Sequence, residues 1–374
     1  MTKDQPLLRL CAKLQAFFHR PFFSNPRTLF GLWTLLAVVA GLTKIAPHRH
    51  NNFLIFRGVF WHTIQKLSLY DFYPTEYNDH NHYGPIFSLV IAPFAVVPDA
   101  IGLLGWLVVL ALGMYYAVRR LPLEEGRQIF LYWFCAHELL TALQMQQFNI
   151  AIAAIIIGFV GLAFFFFVKR KPRFILALIG WSVVCFVAPM LISSPEYVVG
   201  QYVEWYERLA AKNGENTFSL MQNISLLGMI RKISGSASYS DLLVILPGLA
   251  LFGLPYLRFG QYRHLAFRYA ILSSVLLFVV LFSTGSESST YIIPFAGIAL
   301  WYTTSPWKRS GWDVALLVFA FVLSSLSPSD LFPRSLREAY VLPYALKALP
   351  PTLVWLRLSY ELLTRDYAPS KTAL

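Results

Sequence analysis

The chain has 374 residues, a formal net charge of +12, 57% hydrophobic residues and only 13% charged ones, with a mean hydropathy of +0.54. A soluble domain is nearer about one-quarter charged, so this composition excludes an ordinary soluble enzyme, and the lack of short alternating segments excludes a β-barrel. The positive surplus is what a membrane protein concentrates on its cytoplasmic side, and it implies no nucleic-acid partner.

Repeated apolar runs of about 20 residues match a hydrocarbon core roughly 30 Å thick. The expected fold is therefore an all-α polytopic membrane protein with about ten transmembrane helices, forming a single integral membrane domain over residues 1–374. Residues 1–28 carry Lys3, Arg9, Lys13, Arg20 and Arg27 and are expected in the cytoplasm, with 11–23 as a short interfacial helix. Span one, 28–46, is read as an uncleaved helix leading out.

The first outer loop, 47–99, gathers Arg57, His62, Asp71, Glu76, Asp79, His80 and His82 among many aromatic residues. Phe53, Phe56, Phe60, Ile64 and Leu67 recur at helical spacing, with Arg57, His62, Gln65 and Lys66 mostly on the other side. This pattern suits an amphipathic helix lying in the membrane interface; an ordinary packed helix is the alternative. Residues 85–97 form an apolar run bounded by prolines that is too short to span, so a re-entrant or interfacial segment is expected.

Parity then follows the basic clusters. Span two, 101–118, ends inside at Arg119, Arg120 and Arg127. Span three, 129–143, rises to the amide-rich segment Gln144 to Asn149, and span four, 150–168, returns to Lys169 through Arg173. Span five, 174–192, leads to a second large outer loop, 193–240. Spans six to nine alternate between the Arg258–Arg268 cluster, an outer Ser283–Ser289 segment, Lys308-Arg309, and an outer loop with Asp330, Arg334 and Arg337. Span ten, 341–358, leaves the C-terminus inside. The excess of Lys and Arg on one side favours this orientation, with both termini expected in the cytoplasm.

The polar residues thus collect in outer loops. Asp79, Glu76 and Glu287 are the candidate catalytic carboxylates, since a carboxylate within reach of a sugar hydroxyl can take its proton as that hydroxyl attacks. Glu138 lies inside span three, where a charged group is costly and marks function by default; a structural hydrogen-bond partner is the alternative. His137, Thr141 and Gln144 stand at i, i+4 and i+7, giving this helix a partly polar stripe. Arg57, Arg231 and Lys232 are outer cations suited to a lipid phosphate or to anionic headgroups. Asp99 is expected to cap the helix it begins. The spacing of His62, His80 and His82 matches no metal motif, and no metal or cofactor is expected.

Read together, several segments resemble a known class. The pattern Asn52-Phe53-x-Ile55-Phe56-x-x-x-Phe60-x-His62, then Leu69-Tyr70, Tyr73-Pro74, Glu76-Tyr77, Asp79 and Tyr83-x-Pro85, continues through Ala92-Pro93-Phe94-Ala95 and Pro98. Gln144 to Asn149, Gln222-Asn223-x-Ser225, and Glu287-Ser288-x-Thr290 followed by Gly297 extend it. This order is similar to polytopic membrane glycosyltransferases of the GT-C class, in the bacterial branch related to polyprenyl-phosphate-mannose α-1,2-mannosyltransferases, that is, family-87-like. The resemblance implies a GT-C-like fold in a bacterial inner membrane and an active site outside. It also implies an inverting transfer of a mannose-like hexose from a polyprenyl-phosphate donor to a glycan or lipid acceptor. The implied substrate-binding residues are Arg57, His62, Tyr83, Glu138, Gln147, Asn149, Gln222, Asn223 and Arg231, with membrane lipids as further partners. Two departures are plain. Asn51-Asn52 stands where the class places an aspartate, and the chain runs from Asn149 into a single apolar segment where relatives carry an additional hairpin. A non-catalytic scaffold, or a transporter, is the alternative these departures leave open.

Overall fold

The computed structural model describes residues 20–45, 49–159, 168–236 and 238–368, and every element among them is helical. Most of the interfacial helix expected over 11–23 lies outside the described residues; Pro21–Ser24 is a single helical turn.

In chain order the elements are Pro26–Ile45 (α1), Asn51–Gln65 (α2), Phe87–Ala95 (α3), Asp99–Arg119 (α4), Glu125–Gln144 (α5), Asn149–Phe159 (α6) and Lys171–Val187 (α7). They continue with Pro195–Glu215 (α8), Leu226–Ser234 (α9), Leu242–Gly253 (α10), Leu265–Leu281 (α11), Ile292–Thr303 (α12), Gly311–Phe319 (α13) and Leu349–Thr364 (α14). Among the described residues three segments are long and apolar enough to cross a bilayer: α1, α4 and Lys171–Leu191. Asn149–Gly158, Leu242–Leu257, Leu265–Leu281 and Gly311–Leu326 are apolar but shorter. Length and apolarity therefore support a membrane protein without reaching the expected count of about ten spans.

The core is a bundle in which α1 packs on α4 and α5, α4 on α6, α5 on α12, and α11 on both α12 and α14. Aromatic contacts fill it. Tyr115 and Tyr132 stack with centroids 4.8 Å apart, and the Tyr132 hydroxyl donates to the Tyr115 carbonyl at 2.9 Å. By contrast α7 buries none of its residues among the described ones, as a helix bathed in lipid does.

At one end of α14 a buried ionic cluster ties three helices together. Arg309 donates to Glu361 at 2.8 Å, Arg357 stands 3.4 Å from Glu361 and donates to Asp313 at 2.9 Å, and the Trp301 indole donates to Glu361 at 2.9 Å.

Three sequence expectations change. The helix α2 is mainly a packed element rather than an interfacial one: Phe53, Phe56 and Phe60 are buried in protein, while Ile64 and Leu67 are exposed. His62, expected on its polar side, is 2% exposed. The aromatic density of the loop explains this, since Phe56 meets Tyr83 and Phe87, each at 5.0 Å between centroids. Asp99 is not a cap. Pro98 holds the cap position, and Asp99 pairs with Arg57, which also donates to the Ala95 carbonyl at 3.0 Å.

Finally, span ten is not one helix over 341–358. A π-turn ends at Val341, Ala345 adopts φ +52, a short 3-10 turn covers Leu346–Ala348, and α14 begins only at Leu349 with Pro350 and Pro351 in its first turn. Prolines lack the N–H that a helix interior needs and are accommodated in a first turn. The short run Phe87–Ala95 has nine residues and rises about 13 Å, well below a bilayer core.

Candidate active site

A cavity of about 700 Å³ opens where the end of α5 meets the loops. Four polar clusters far apart in sequence share its wall: Asp79, Gln144 with Gln147, Gln222, and Glu287 with Ser288 and Ser289. His137, Thr141 and Gln144 supply one helical stripe, and Ser327, Ser329, Arg337, Glu338 and Lys347 supply a further part of the wall. Asn52, of the Asn51-Asn52 pair, also lines the cavity; its amide donates to the Met145 carbonyl at 2.8 Å.

Local chemistry holds each wall. At the end of α5, Gln146 takes the left-handed conformation at φ +55, which lets the chain leave the helix. Its side chain accepts from the Phe53 amide at 3.2 Å and its carbonyl accepts from the Trp106 indole at 3.2 Å. That fixes Gln147 above an aromatic floor in which Trp106 and Phe148 stack at 5.9 Å. Gln147 in turn accepts from the Tyr83 hydroxyl at 3.1 Å.

The segment Gln222 to Ser225 is a built turn. Asn223 adopts φ +51, a conformation asparagine tolerates, and accepts from the Ser225 hydroxyl at 2.8 Å. Ser225 then caps α9 by accepting from Gly228 N at 3.0 Å. A Cβ at position 228 would lie 1.8 Å from the Asn223 carbonyl oxygen, so only glycine fits. Gln222 reaches the cavity because Asn223 turns the chain beside it.

Glu287 opens a capped turn, Ser288–Tyr291, in which its backbone N–H donates to Thr290 Oγ1 at 3.1 Å. Asn149 donates to Ser289 Oγ at 3.3 Å and Thr290 Oγ1 at 3.4 Å. The Ser289 hydroxyl donates to Glu287 at 3.5 Å. Burial holds the Glu287 carboxyl above its ordinary value; Lys212 opposes the shift, and the negative charge of Asp79 adds to it. The second large loop clamps the first across this region. Gln201 accepts from Leu69 N at 2.7 Å, Glu204 accepts from Ser68 at 2.7 Å, and Trp205 donates to the His82 carbonyl at 2.8 Å. Burial, with Lys212 and Arg208 nearby, pushes His82 down to about 4.

Of the sequence candidates, the cavity wall thus receives Asp79, Glu287, Gln147 and Gln222. Tyr83, Asn149 and Asn223 stand one hydrogen bond or one peptide behind it. Glu138 is fully buried and stands 3.3 Å from Lys347, which lines the wall. Glu76 is absent from the wall; it is half exposed and accepts from His62 Nε2 at 3.1 Å. Arg57 is taken by Asp99, Arg231 by Asp241 at 2.5 Å under the Tyr239 ring, and Lys232 donates to the Gln222 carbonyl at 3.1 Å. These three cations are committed to protein partners and none lines the cavity. Sequence reasoning missed Lys347 because it lay inside an assumed continuous span. A lysine flanked by prolines in an apolar segment was the available signal. No group of three metal-ligating side chains occurs among the described residues.

The family model of glycosyltransferase family 87 matches residues 81–164 and 156–284, more than half of the chain. The chain belongs to glycosyltransferase family 87. No curated protein and no solved structure matches it. The family match takes in Asp79's neighbours from Asn81 onward, the Gln144–Asn149 segment, and the Gln222–Ser225 turn, and its two matched stretches overlap at 156–164. Glu287 and Lys347 lie beyond the matched residues. This family 87 protein is a membrane glycosyltransferase whose apolar helices carry a polar cavity at one end.

Proposed function

We propose that the cavity transfers a mannose-like hexose from a polyprenyl-phosphate donor to a hydroxyl of a glycan or lipid acceptor. In this reading the cavity opens on the outer face of a bacterial inner membrane, with both chain termini in the cytoplasm. The observation that carries it is the meeting of Glu287 and Asp79 in one cavity lined by amides and hydroxyls. Amides and hydroxyls suit sugar hydroxyl groups, because they both donate and accept.

Glu287 is the proposed base. A base works best when its pKa approaches the working pH, and burial moves Glu287 in that direction. The acceptor oxygen attacks the anomeric carbon, Glu287 takes the hydroxyl proton, and the bond to the donor phosphate breaks with its electron pair leaving on phosphate. Attack opposite the leaving group inverts the anomeric centre. Asp79 is the second carboxylate at the wall, and Gln147 and Gln222 are the proposed sugar-orienting amides. Glu76 is left out, being held by His62 away from the wall.

The test offers the purified protein two donors: radiolabelled polyprenyl-phosphate sugar with chelator present, and nucleotide sugar with divalent metal added. Transfer in the first condition supports the reading. Transfer only in the second refutes the lipid-linked donor.

A further inference from the structure

A lipid-linked donor brings a phosphate into the cavity, and the charge on it needs a partner. None of the three cations expected from sequence lines the cavity. Two cations line the wall among the described residues, Arg337 and Lys347. Arg337 donates to the Ser329 carbonyl at 3.3 Å and stands 4.0 Å from the fully exposed Asp330, at the rim.

Lys347 is different. Its side chain is 3% exposed, and its Nζ lies 3.3 and 3.4 Å from the two oxygens of the fully buried Glu138. It also donates to the Ser288 carbonyl at 3.1 Å and lies 4.4 Å from the centre of the Tyr291 ring. The backbone is shaped to present it. Ala345, two residues earlier, adopts φ +52, an uncommon and strained conformation for a residue with a Cβ. The Lys347 carbonyl accepts from Ser324 at 2.7 Å, out of a π-helical turn, Ala320–Leu326, of the kind that recurs at functional sites. An ammonium kept this deep in a membrane bundle is costly without a task, and this one borders the cavity.

Its place relative to the proposed base is set by one peptide unit. The carbonyl that Lys347 holds belongs to Ser288, the residue after Glu287. A cation and a carboxylate so spaced can serve the two ends of one reaction.

We propose that Lys347 receives the phosphate of the lipid donor and that Glu138 is the counter-ion that keeps Lys347 charged when no anion is bound. This inference rests on the functional reading above and deepens it. During transfer the acceptor O–C bond forms, the sugar C–O bond to phosphate breaks, and the acceptor proton passes to Glu287. The donor's singly charged phosphodiester becomes a monoester that carries the departing electron pair. Lys347 meets this added charge with charge-assisted hydrogen bonds, while Glu138 holds the ammonium from behind.

Binding rather than turnover tests it. The full-length protein in lipid nanodiscs is titrated with polyprenyl phosphate, with neutral polyprenol and with inorganic phosphate. Lys347→Gln alone leaves Glu138 buried without a partner and endangers folding, so the decisive variant is the neutral pair Glu138→Gln with Lys347→Gln. The expected result is a loss of about tenfold or more in affinity for polyprenyl phosphate, the scale of one charge-assisted hydrogen bond, with polyprenol binding unchanged. A neutral pair that binds polyprenyl phosphate with parental affinity overturns the proposal. So does parental binding of inorganic phosphate that exceeds polyprenyl phosphate binding and is lost in the neutral pair, since the site would then serve free phosphate. Parental protein that transfers sugar from the lipid donor while the neutral pair keeps full affinity removes only Lys347. Parental protein that neither transfers from nor binds the lipid donor removes the functional reading and the proposal together.

Discussion

The Tyr83 hydroxyl donates to Gln147 Oε1 across 3.1 Å, joining the first loop to the turn between α5 and α6. Gln147 lines the cavity and Tyr83 does not, so the tyrosine acts by holding the amide in one orientation. Tyr83→Phe removes the bond and keeps the ring that stacks on Phe87 at 4.5 Å. A hydrogen bond of this kind contributes about 1 kcal/mol, so kcat/KM is expected to fall roughly fivefold with little change in thermal stability. Steady-state kinetics beside a melting curve checks this. An unchanged kcat/KM removes Gln147 from sugar orientation.

The acid limb of the pH–rate profile should sit above the ordinary carboxylate range, because burial raises the Glu287 pKa and a base must be ionised to work. The neighbours give the signs. Lys212 lowers this pKa, so Lys212→Gln should move the limb to higher pH. Asp79 raises it, so Asp79→Asn should move the limb of the residual activity to lower pH. Profiles of kcat/KM from pH 4 to pH 9 read both shifts. Shifts of the opposite sign exclude Glu287 as the titrating base.

Glu76→Gln separates the structural account from the sequence motif. Glu76 sits in a segment typical of the resemblance, yet it accepts from His62 and is absent from the cavity wall. Turnover of Glu76→Gln is expected within about twofold of the parent, where loss of a true base costs about 10² to 10⁴-fold. A drop of the latter size in purified, folded protein returns Glu76 to the site.

Glu361 accepts from Arg309 and Trp301 and faces Arg357 while 1% exposed. Glu361→Gln leaves these cations without their shared counter-charge. Removing one partner of a buried ion pair costs about 3 to 5 kcal/mol, so the melting temperature in detergent should fall clearly. Because the cluster is remote from the cavity wall, the surviving folded protein should keep its KM.

Much of the helical layout was legible because apolar length reads directly as helix in a bilayer. Helices over 26–45, 99–119 and 125–144 fall close to the expected spans. The convergence of the amide and carboxylate segments was also legible, through their grouping in loops of one parity. Side-chain partnerships were not. Glu138 was visible as an intramembrane carboxylate, but its partner Lys347 is 209 residues away, and pairing over that distance leaves no mark on periodicity. Arg57 looked like a free cation because nothing local shows that Asp99 turns toward it rather than capping its helix. The side of α2 that holds His62 was misjudged for a related reason: amphipathic spacing assumes one apolar face, and this helix is covered by protein on more than one.

The most direct measurement is transfer from radiolabelled polyprenyl-phosphate sugar by purified parental protein and by Glu287→Gln, with donor binding measured in parallel. The account predicts transfer by the parent and a rate about 10² to 10⁴-fold lower in the variant, with donor affinity retained. Transfer at the parental rate by Glu287→Gln would contradict it.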